Sequence, residues 1–106
     1  MTKRNRPWGH QEPRNESTNR ALHPDTLAIR GAMIRTGFGE TSEAMFLTSG
    51  FTYDCAQQAE ASFTEENDHY LYSRFANPTI SMFEDRLALL EGAESCHATG
   101  SGMSAM

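Results

Sequence analysis

Residues 70–92 read YLYSRFANPTISMFEDRLALLEG, and they predict an extended segment followed by a helix. Asn77 is a favoured N-cap residue, and Pro78 takes the first helical position, where its missing N–H costs nothing. Gly92 is a typical residue to end such a helix. The apolar residues between these limits recur at helical spacing, which predicts an amphipathic helix; they are Ile80, Phe83, Leu87 and Leu90.

Tyr72 and Arg74, at the start of this region, form a first candidate anion site. Residues two apart in an extended chain project to the same side, so the phenol and the guanidinium are expected to face one ligand. Arginine supplies a planar charged fork and tyrosine supplies one donor, which suits a phosphate group. The alternative that these are ordinary packing and surface residues stays open.

A glycine-rich turn after the helix forms a second candidate anion site. Residues 95–99 are a candidate strand that runs into this turn, and another helix begins after it. Glycine lets the backbone approach a ligand closely, and the free N–H groups of a helix start point at a phosphate. The turn also matches the dinucleotide pattern G-x-G-x-x-A, so a Rossmann unit and a plain turn are both alternatives. The residues of the site are Gly100, Ser101, Gly102 and Met103.

Two shorter helices are predicted nearer the N-terminus. Asp25 is expected to cap a helix over residues 26–34 that ends before Gly37. Residues 44–53 mix large apolar side chains with Thr, Ser and Gly, which predicts an irregular extended segment. Asp54 is then expected to cap a second, short helix.

Length and charge restrict the class of protein. A chain of 106 residues is long enough for about one small domain. The net charge of -5 divides into +3 over residues 1–20 and -8 over residues 21–106. Five cations diluted by Asn, Pro and Glu are more typical of a solvated terminus than of a nucleic-acid interface. We therefore expect residues 1–22 to form a disordered polar tail, with no nucleic-acid partner.

Membrane insertion and export are not expected from the sequence. No apolar run approaches the ~20 residues that a membrane helix needs. The basic residues at the N-terminus are not followed by the apolar stretch of a secretory signal. Cys55 and Cys96 match no metal-ligand or redox spacing, which favours reduced thiols and a cytoplasmic location.

A linked series of motifs runs through the second half of the chain. Its members are Tyr72-Ser73-Arg74, Asn77-Pro78-Thr79, Phe83-Glu84, Leu87-Ala88, Leu90-Glu91-Gly92-Ala93 and Ser101-Gly102-Met103-Ser104-Ala105. In this order and spacing the chain resembles, over about residues 25–106, the pyridoxal-phosphate enzymes of cysteine and methionine metabolism. Segments 35–40, 46–51 and 72–79 most resemble the O-succinylhomoserine sulfhydrylase branch of that family.

The resemblance implies an α/β fold of the aspartate-aminotransferase type (type I), of which this chain supplies the front part. Residues 23–76 would form an N-terminal arm that contacts the partner subunit, and residues 77–106 would begin the large cofactor domain. The implied assembly is a dimer of dimers with shared active sites. Tyr72 and Arg74 would bind the phosphate of the pyridoxal phosphate held by the neighbouring subunit, and the turn would hold the phosphate within its own subunit; the turn residues are Ser101, Gly102 and Met103.

The resemblance also implies the chemistry of the complete enzyme: homocysteine formation from O-succinylhomoserine and sulfide in methionine biosynthesis. Cystathionine γ-synthase or a related lyase is the alternative within the family, and a non-catalytic nucleotide-binding module is the alternative from another class. The cofactor is held as a Schiff base by a lysine in such enzymes. The sole lysine is Lys3, outside every motif, so we expect this segment to be a fragment that is inactive alone.

Overall fold

The computed structural model describes residues 22–64 and 66–106. Their regular structure consists of four α-helices: α1 (Pro24–Arg30), α2 (Ala56–Phe63), α3 (Pro78–Glu91) and α4 (Gly102–Ala105). An isolated antiparallel β-bridge joins Gly50 to Tyr72. No helix in these two ranges is long and apolar enough to cross a membrane. The tail predicted for residues 1–22 lies outside the described residues except at Leu22.

Helix α3 confirms the prediction made from its caps and its apolar spacing. Asn77 is extended (φ -143°, ψ 139°), and its side-chain oxygen accepts a 2.8 Å hydrogen bond from the Thr79 N–H. Pro78 occupies the first turn, and Gly92 ends the helix in the left-handed conformation at φ 65°. Glycine adopts this conformation without the steric cost that a Cβ atom brings. Local chemistry therefore fixes both ends of the helix.

Helix α1 is shorter than predicted, and Asp25 is not its cap. The N-cap is His23, whose Nδ1 atom accepts a 3.3 Å hydrogen bond from the Asp25 N–H. The helix starts at Pro24 because proline already holds the φ angle of a first helical residue. It ends at Gly31, which is extended at φ -62° and ψ 139°, and the following residue Ala32 has φ 54°. The prediction of a helix continuing to residue 34 was wrong.

Helix α2 has the predicted position, but its cap differs by one residue. Cys55 is the N-cap and makes no side-chain capping bond. Asp54 instead lies one position before the cap, where its N–H donates a 2.6 Å hydrogen bond to the Gln58 side-chain oxygen. The prediction that Asp54 caps the helix was therefore wrong.

Both Cys55 and Cys96 are free thiols.

The described residues bury little apolar side-chain surface. Leu27 of α1 and Met82 of α3 are the buried apolar side chains, at 7% and 2% exposure, where these two helices pack together. Ile80, Phe83 and Leu90 of α3 stay 45%, 56% and 39% exposed. Three further methionines are exposed; they are Met45, Met103 and Met106.

The strand predicted for residues 95–99 is absent, since these residues have no regular secondary structure. A strand needs a neighbouring strand to satisfy its backbone groups, and the part of the chain that the structure describes contains none. The backbone bonds elsewhere instead: the Ala98 N–H donates a 2.8 Å hydrogen bond to the Glu84 carboxylate of α3. The α/β sheet implied by the family resemblance is consequently not seen in the described residues.

Gly31 offers a direct test of the α1 boundary. A Cβ atom at this position would lie 2.6 Å from the Leu27 carbonyl oxygen, which is backbone and cannot move aside cheaply. We expect Gly31→Ala to lower the free energy of unfolding by about 1–3 kcal/mol. Gly37→Ala is the matched control, because a Cβ atom there meets nothing within 4 Å. Urea unfolding of the protein produced from its complete gene measures both; equal effects of the two changes would contradict the expectation.

Candidate functional site

A tight turn carries Tyr72 and Arg74. The Ser73 N–H donates to the Ser49 carbonyl at 2.8 Å, next to the bridge between Gly50 and Tyr72. The chain then turns, because the Phe75 N–H donates back to the Tyr72 carbonyl at 2.9 Å. The sequence-based prediction of an extended chain over 72–74 was therefore wrong. A turn, and not strand alternation, brings the two candidate side chains together.

Arg74 lies against two aromatic rings. Its guanidinium carbon is 5.6 Å from the centre of the Tyr72 ring and 5.5 Å from that of Phe75, within the range of a cation–π interaction. The two rings are themselves 6.2 Å apart in an edge-to-face arrangement. Across residues 22–64 and 66–106, no carboxylate forms a salt bridge with Arg74. Arg74 is exposed, and its guanidinium lies against the two rings. It is therefore accessible to an anionic ligand.

Asn77 attaches this turn to the rest of the chain. It is only 6% exposed, and its side-chain nitrogen donates to the Phe46 carbonyl at 2.9 Å and to the Ser73 hydroxyl at 3.0 Å. Thr79 adds a second link, since its hydroxyl accepts a 2.9 Å hydrogen bond from the Phe46 N–H. The sequence predicted Asn77 only as a helix cap. Its residue type was the available signal, because an amide can cap a helix and still donate two hydrogen bonds.

Tyr70 precedes the turn and contacts different residues from Tyr72. Its hydroxyl donates a 3.2 Å hydrogen bond to the Ser81 hydroxyl of α3, and its ring lies 5.4 Å from the Phe51 ring. Tyr72 is 44% exposed and makes its ring contacts with residues of the turn itself. Tyr70 therefore packs the segment against α3, and Tyr72 remains accessible to a ligand.

The second predicted site lies at the start of α4. Ser101 is the N-cap: its hydroxyl accepts a 3.2 Å hydrogen bond from the Ser104 N–H, and its carbonyl accepts one from Ala105 at 3.3 Å. The first amides of a helix have no acceptor within the helix, which leaves the N–H groups of Gly102 and Met103 for a ligand. A Cβ atom at Gly102 would meet nothing within 4 Å, so this side of the turn is open.

The two predicted sites have different contact residues within the described chain. Arg74 contacts the rings of Tyr72 and Phe75. Ser101 forms hydrogen bonds with residues of its own turn and helix; they are Thr99, Ser104 and Ala105. In residues 22–64 and 66–106 these two sets of contacts share no residue, so the chain presents two separate candidate anion sites.

Two carboxylates near α1 and α3 have lowered pKa values. The Thr36 hydroxyl and N–H each donate a 2.6 Å hydrogen bond to Glu40, and this bonding, led by the hydroxyl, lowers the Glu40 pKa. The pKa of Glu43 is lowered by a hydrogen bond from its own backbone N–H and by Arg86, with which it forms an ion pair. Arg86 also donates to the Gly31 carbonyl at 2.8 Å. Arg86 thus joins the end of α1 to α3.

The lowered pKa of Glu43 predicts a pH-dependent contribution to stability. Because the carboxyl binds its proton less readily in the folded state, the pair stabilises the fold above the unfolded glutamate pKa of about 4.3, and the effect is lost as the pH falls through the lower folded pKa. We expect Glu43→Gln to cost about 0.5–1 kcal/mol at pH 7 and progressively less below pH 4. Urea unfolding at several pH values tests this, with Glu60→Gln on exposed α2 as control. A cost that does not change with pH would contradict it.

Comparison with known proteins identifies relatives of this chain. The family model described as Cys/Met metabolism PLP-dependent enzyme matches residues 25–106. The O-succinylhomoserine sulfhydrylase of Mycobacterium tuberculosis is 58% identical over 81 residues, which cover 76% of this chain and 20% of that protein. The enzyme of the same name from Pseudomonas aeruginosa is 50% identical over 82 residues, 77% of this chain and 20% of the relative.

A less similar relative is named as a lyase. The L-methionine gamma-lyase of Porphyromonas gingivalis is 38% identical over 81 residues, which cover 76% of this chain and 20% of the lyase. The chain therefore spans about a fifth of the length of the curated relatives it matches. Both candidate anion sites lie within the residues that the family model matches.

Proposed function

The chain belongs to the Cys/Met metabolism PLP-dependent enzyme family, and from that membership we propose that the complete protein is an O-succinylhomoserine sulfhydrylase. In this reaction the bond between the substrate's γ-carbon and the succinyl oxygen breaks, and sulfide forms a carbon–sulfur bond at the same carbon. The products are homocysteine and succinate. The observation that carries the proposal is the 58% identity to a sulfhydrylase over 81 residues, against 38% to a lyase over the same length.

The cofactor of this family is pyridoxal phosphate. When bound, it supplies an electron-withdrawing ring that stabilises negative charge on the substrate. We propose that the Arg74 fork and the Tyr72 hydroxyl bind its phosphate from one subunit, and that the N–H groups of Gly102 and Met103, held by Ser101, bind it from another. The exposed Arg74 guanidinium and the unpaired first amides of α4 both fit an anion. Residues 25–106 contain no lysine, so the lysine that holds the cofactor lies outside them.

We propose that the protein is a cytoplasmic homo-oligomer, a dimer of dimers with shared active sites. Residues 23–76 would form the arm against the partner subunit, and residues 77–106 would begin the cofactor domain. Two observations support sharing: the Tyr72 turn and the Ser101 turn make separate contacts within one chain, and each has exposed groups suited to the same phosphate.

The complete cofactor domain would have the α/β architecture of the type I fold. The apolar face of α3 supports this proposal, because a helix in such a domain covers a sheet. Ile80, Phe83 and Leu90 are the residues of this face that remain exposed in the described chain.

Purified protein from the complete gene tests the function. We expect an absorbance band of bound pyridoxal phosphate and the release of homocysteine and succinate from O-succinylhomoserine with sulfide. Cystathionine formation with cysteine as the preferred acceptor would support a cystathionine γ-synthase instead, and methanethiol release from methionine would support a lyase. Binding of a dinucleotide without any binding of pyridoxal phosphate would contradict the enzyme proposal.

A further inference from the structure

Asn77 is a buried polar residue whose side-chain donors are both used. The amide nitrogen donates to the Phe46 carbonyl at 2.9 Å and to the Ser73 hydroxyl at 3.0 Å, and the amide oxygen accepts from the Thr79 N–H at 2.8 Å. One side chain thus joins a segment 31 residues earlier, the turn before α3, and the first turn of α3 itself. Capping of the helix requires only the oxygen, so the two donated bonds are a separate feature.

The Ser73 hydroxyl links Asn77 to the turn that carries Tyr72 and Arg74. Ser73 lies between Tyr72 and Arg74, accepts the hydrogen bond from Asn77, and donates its own hydroxyl to the Thr48 carbonyl. We call Ser73 and Asn77 together the turn clamp. The tyrosine and the arginine project from a short turn, so a change in the backbone at Ser73 alters the direction of both side chains.

We propose that Asn77 is a positioning residue. Its amide holds Ser73, the other member of the turn clamp, and thereby orients Tyr72 and Arg74 toward the phosphate of pyridoxal phosphate. This inference rests on the proposed function, because it assumes that these two side chains bind the cofactor. Without the amide donors, the turn keeps its backbone bonds at Tyr72 and Ser49, but Asn77 no longer joins the Ser73 hydroxyl to the Phe46 carbonyl. Small losses of orientation in a supporting residue typically reduce affinity about 10- to 100-fold.

Two substitutions separate this role from helix capping. Asn77→Ser and Asn77→Asp both keep an oxygen that can accept from the Thr79 N–H, and both residues are favoured N-caps. Neither can donate the two amide hydrogen bonds. Ser62→Ala is the matched control, because Ser62 is equally buried and bonded to Gln58 and Asn67, away from the turn clamp.

The experiment compares two ligands on cofactor-free protein prepared from the complete gene. Equilibrium binding of pyridoxal phosphate and of pyridoxal, which lacks the phosphate, is measured well below the unfolding temperature. We expect Asn77→Ser to weaken pyridoxal phosphate about 10- to 100-fold while pyridoxal changes less than about threefold. A merely structural loss would weaken both ligands alike. Ser62→Ala is expected to leave the ratio of the two affinities unchanged.

A double substitution tests the path of the effect. If Asn77 acts through Arg74, the loss caused by Asn77→Ser should largely disappear in an Arg74→Ala background, because interacting residues are non-additive. Full additivity, or an unchanged preference for pyridoxal phosphate over pyridoxal in both Asn77 variants, would overturn the positioning role and leave the proposed function standing. Unmodified protein that binds neither ligand would overturn the proposed function itself.

Discussion

Arg74→Ala should weaken the binding of pyridoxal phosphate about 100-fold in the protein produced from its complete gene. A forked, charge-assisted contact to a phosphate contributes about 1.5–3 kcal/mol, which corresponds to a factor of about 10 to 150 in affinity. The free energy of unfolding of the cofactor-free protein should change little, because Arg74 is exposed and its ring contacts among the described residues are with two exposed side chains. Fluorescence titration of cofactor-free protein measures the affinity, and urea unfolding measures the stability.

Conservative variants show which property of Arg74 matters. Arg74→Lys keeps the charge but loses the planar fork, so an intermediate loss of about tenfold is expected. Tyr72→Phe removes a single donor and should also cost about tenfold or less. Affinity for pyridoxal without its phosphate should be unchanged in all three variants. Unchanged affinity for pyridoxal phosphate in Arg74→Ala would remove Arg74 from the proposed site.

Mixing two variants that each bind pyridoxal phosphate weakly should restore activity at a limiting cofactor concentration, because the proposed site takes Arg74 from one subunit and Gly102 from the other. Gly102→Asp places a carboxylate against the phosphate, and the open space at Gly102 accommodates the new side chain without a clash. In a mixed dimer of the Arg74→Ala and Gly102→Asp chains, one of the two sites then contains both original residues. Random re-association of equal amounts should return about a quarter of the original sites.

The control for this mixing is a chain that carries both substitutions. When this chain is mixed with unmodified chain, each of the two sites in a mixed dimer contains one substituted residue. The mixture should therefore be less active than the same amount of unmodified protein diluted with buffer. Activity is measured as homocysteine release after the subunits have been dissociated and re-associated. No recovery on mixing Arg74→Ala with Gly102→Asp would place both residues in the same subunit's site and contradict the sharing of sites between chains.

Much of α3 was predictable from neighbouring residues alone. Asn77, Pro78 and Gly92 each act through the backbone groups of the adjacent turn, and the structure confirms all three. The prediction failed at α1, where residues 32–34 had suitable apolar spacing but Ala32 adopts φ 54°. Arg86 bonds the Gly31 carbonyl from 55 residues away, and a local pattern does not contain that interaction.

For the candidate site, too, some features were predicted from the sequence and others were not. The residue types and the glycine-rich turn indicated both candidate anion sites, because a cationic fork and free amides are groups that suit a phosphate. The reason given for pairing Tyr72 with Arg74 was wrong, since a turn and not an extended strand places them together. The strand predicted before the second segment is missing, because the described residues provide no neighbouring strand.

Local sequence therefore specified the caps of α3 and the candidate phosphate-binding residues, since each depends on groups a few positions apart. The tertiary structure decided where α1 ends, how the turn at Tyr72 and Arg74 is held, and what the Asn77 amide binds. Those features rest on hydrogen bonds between residues 31 and 55 positions apart. Such bonds form only when the chain has folded back on itself, and no short-range periodicity encodes them.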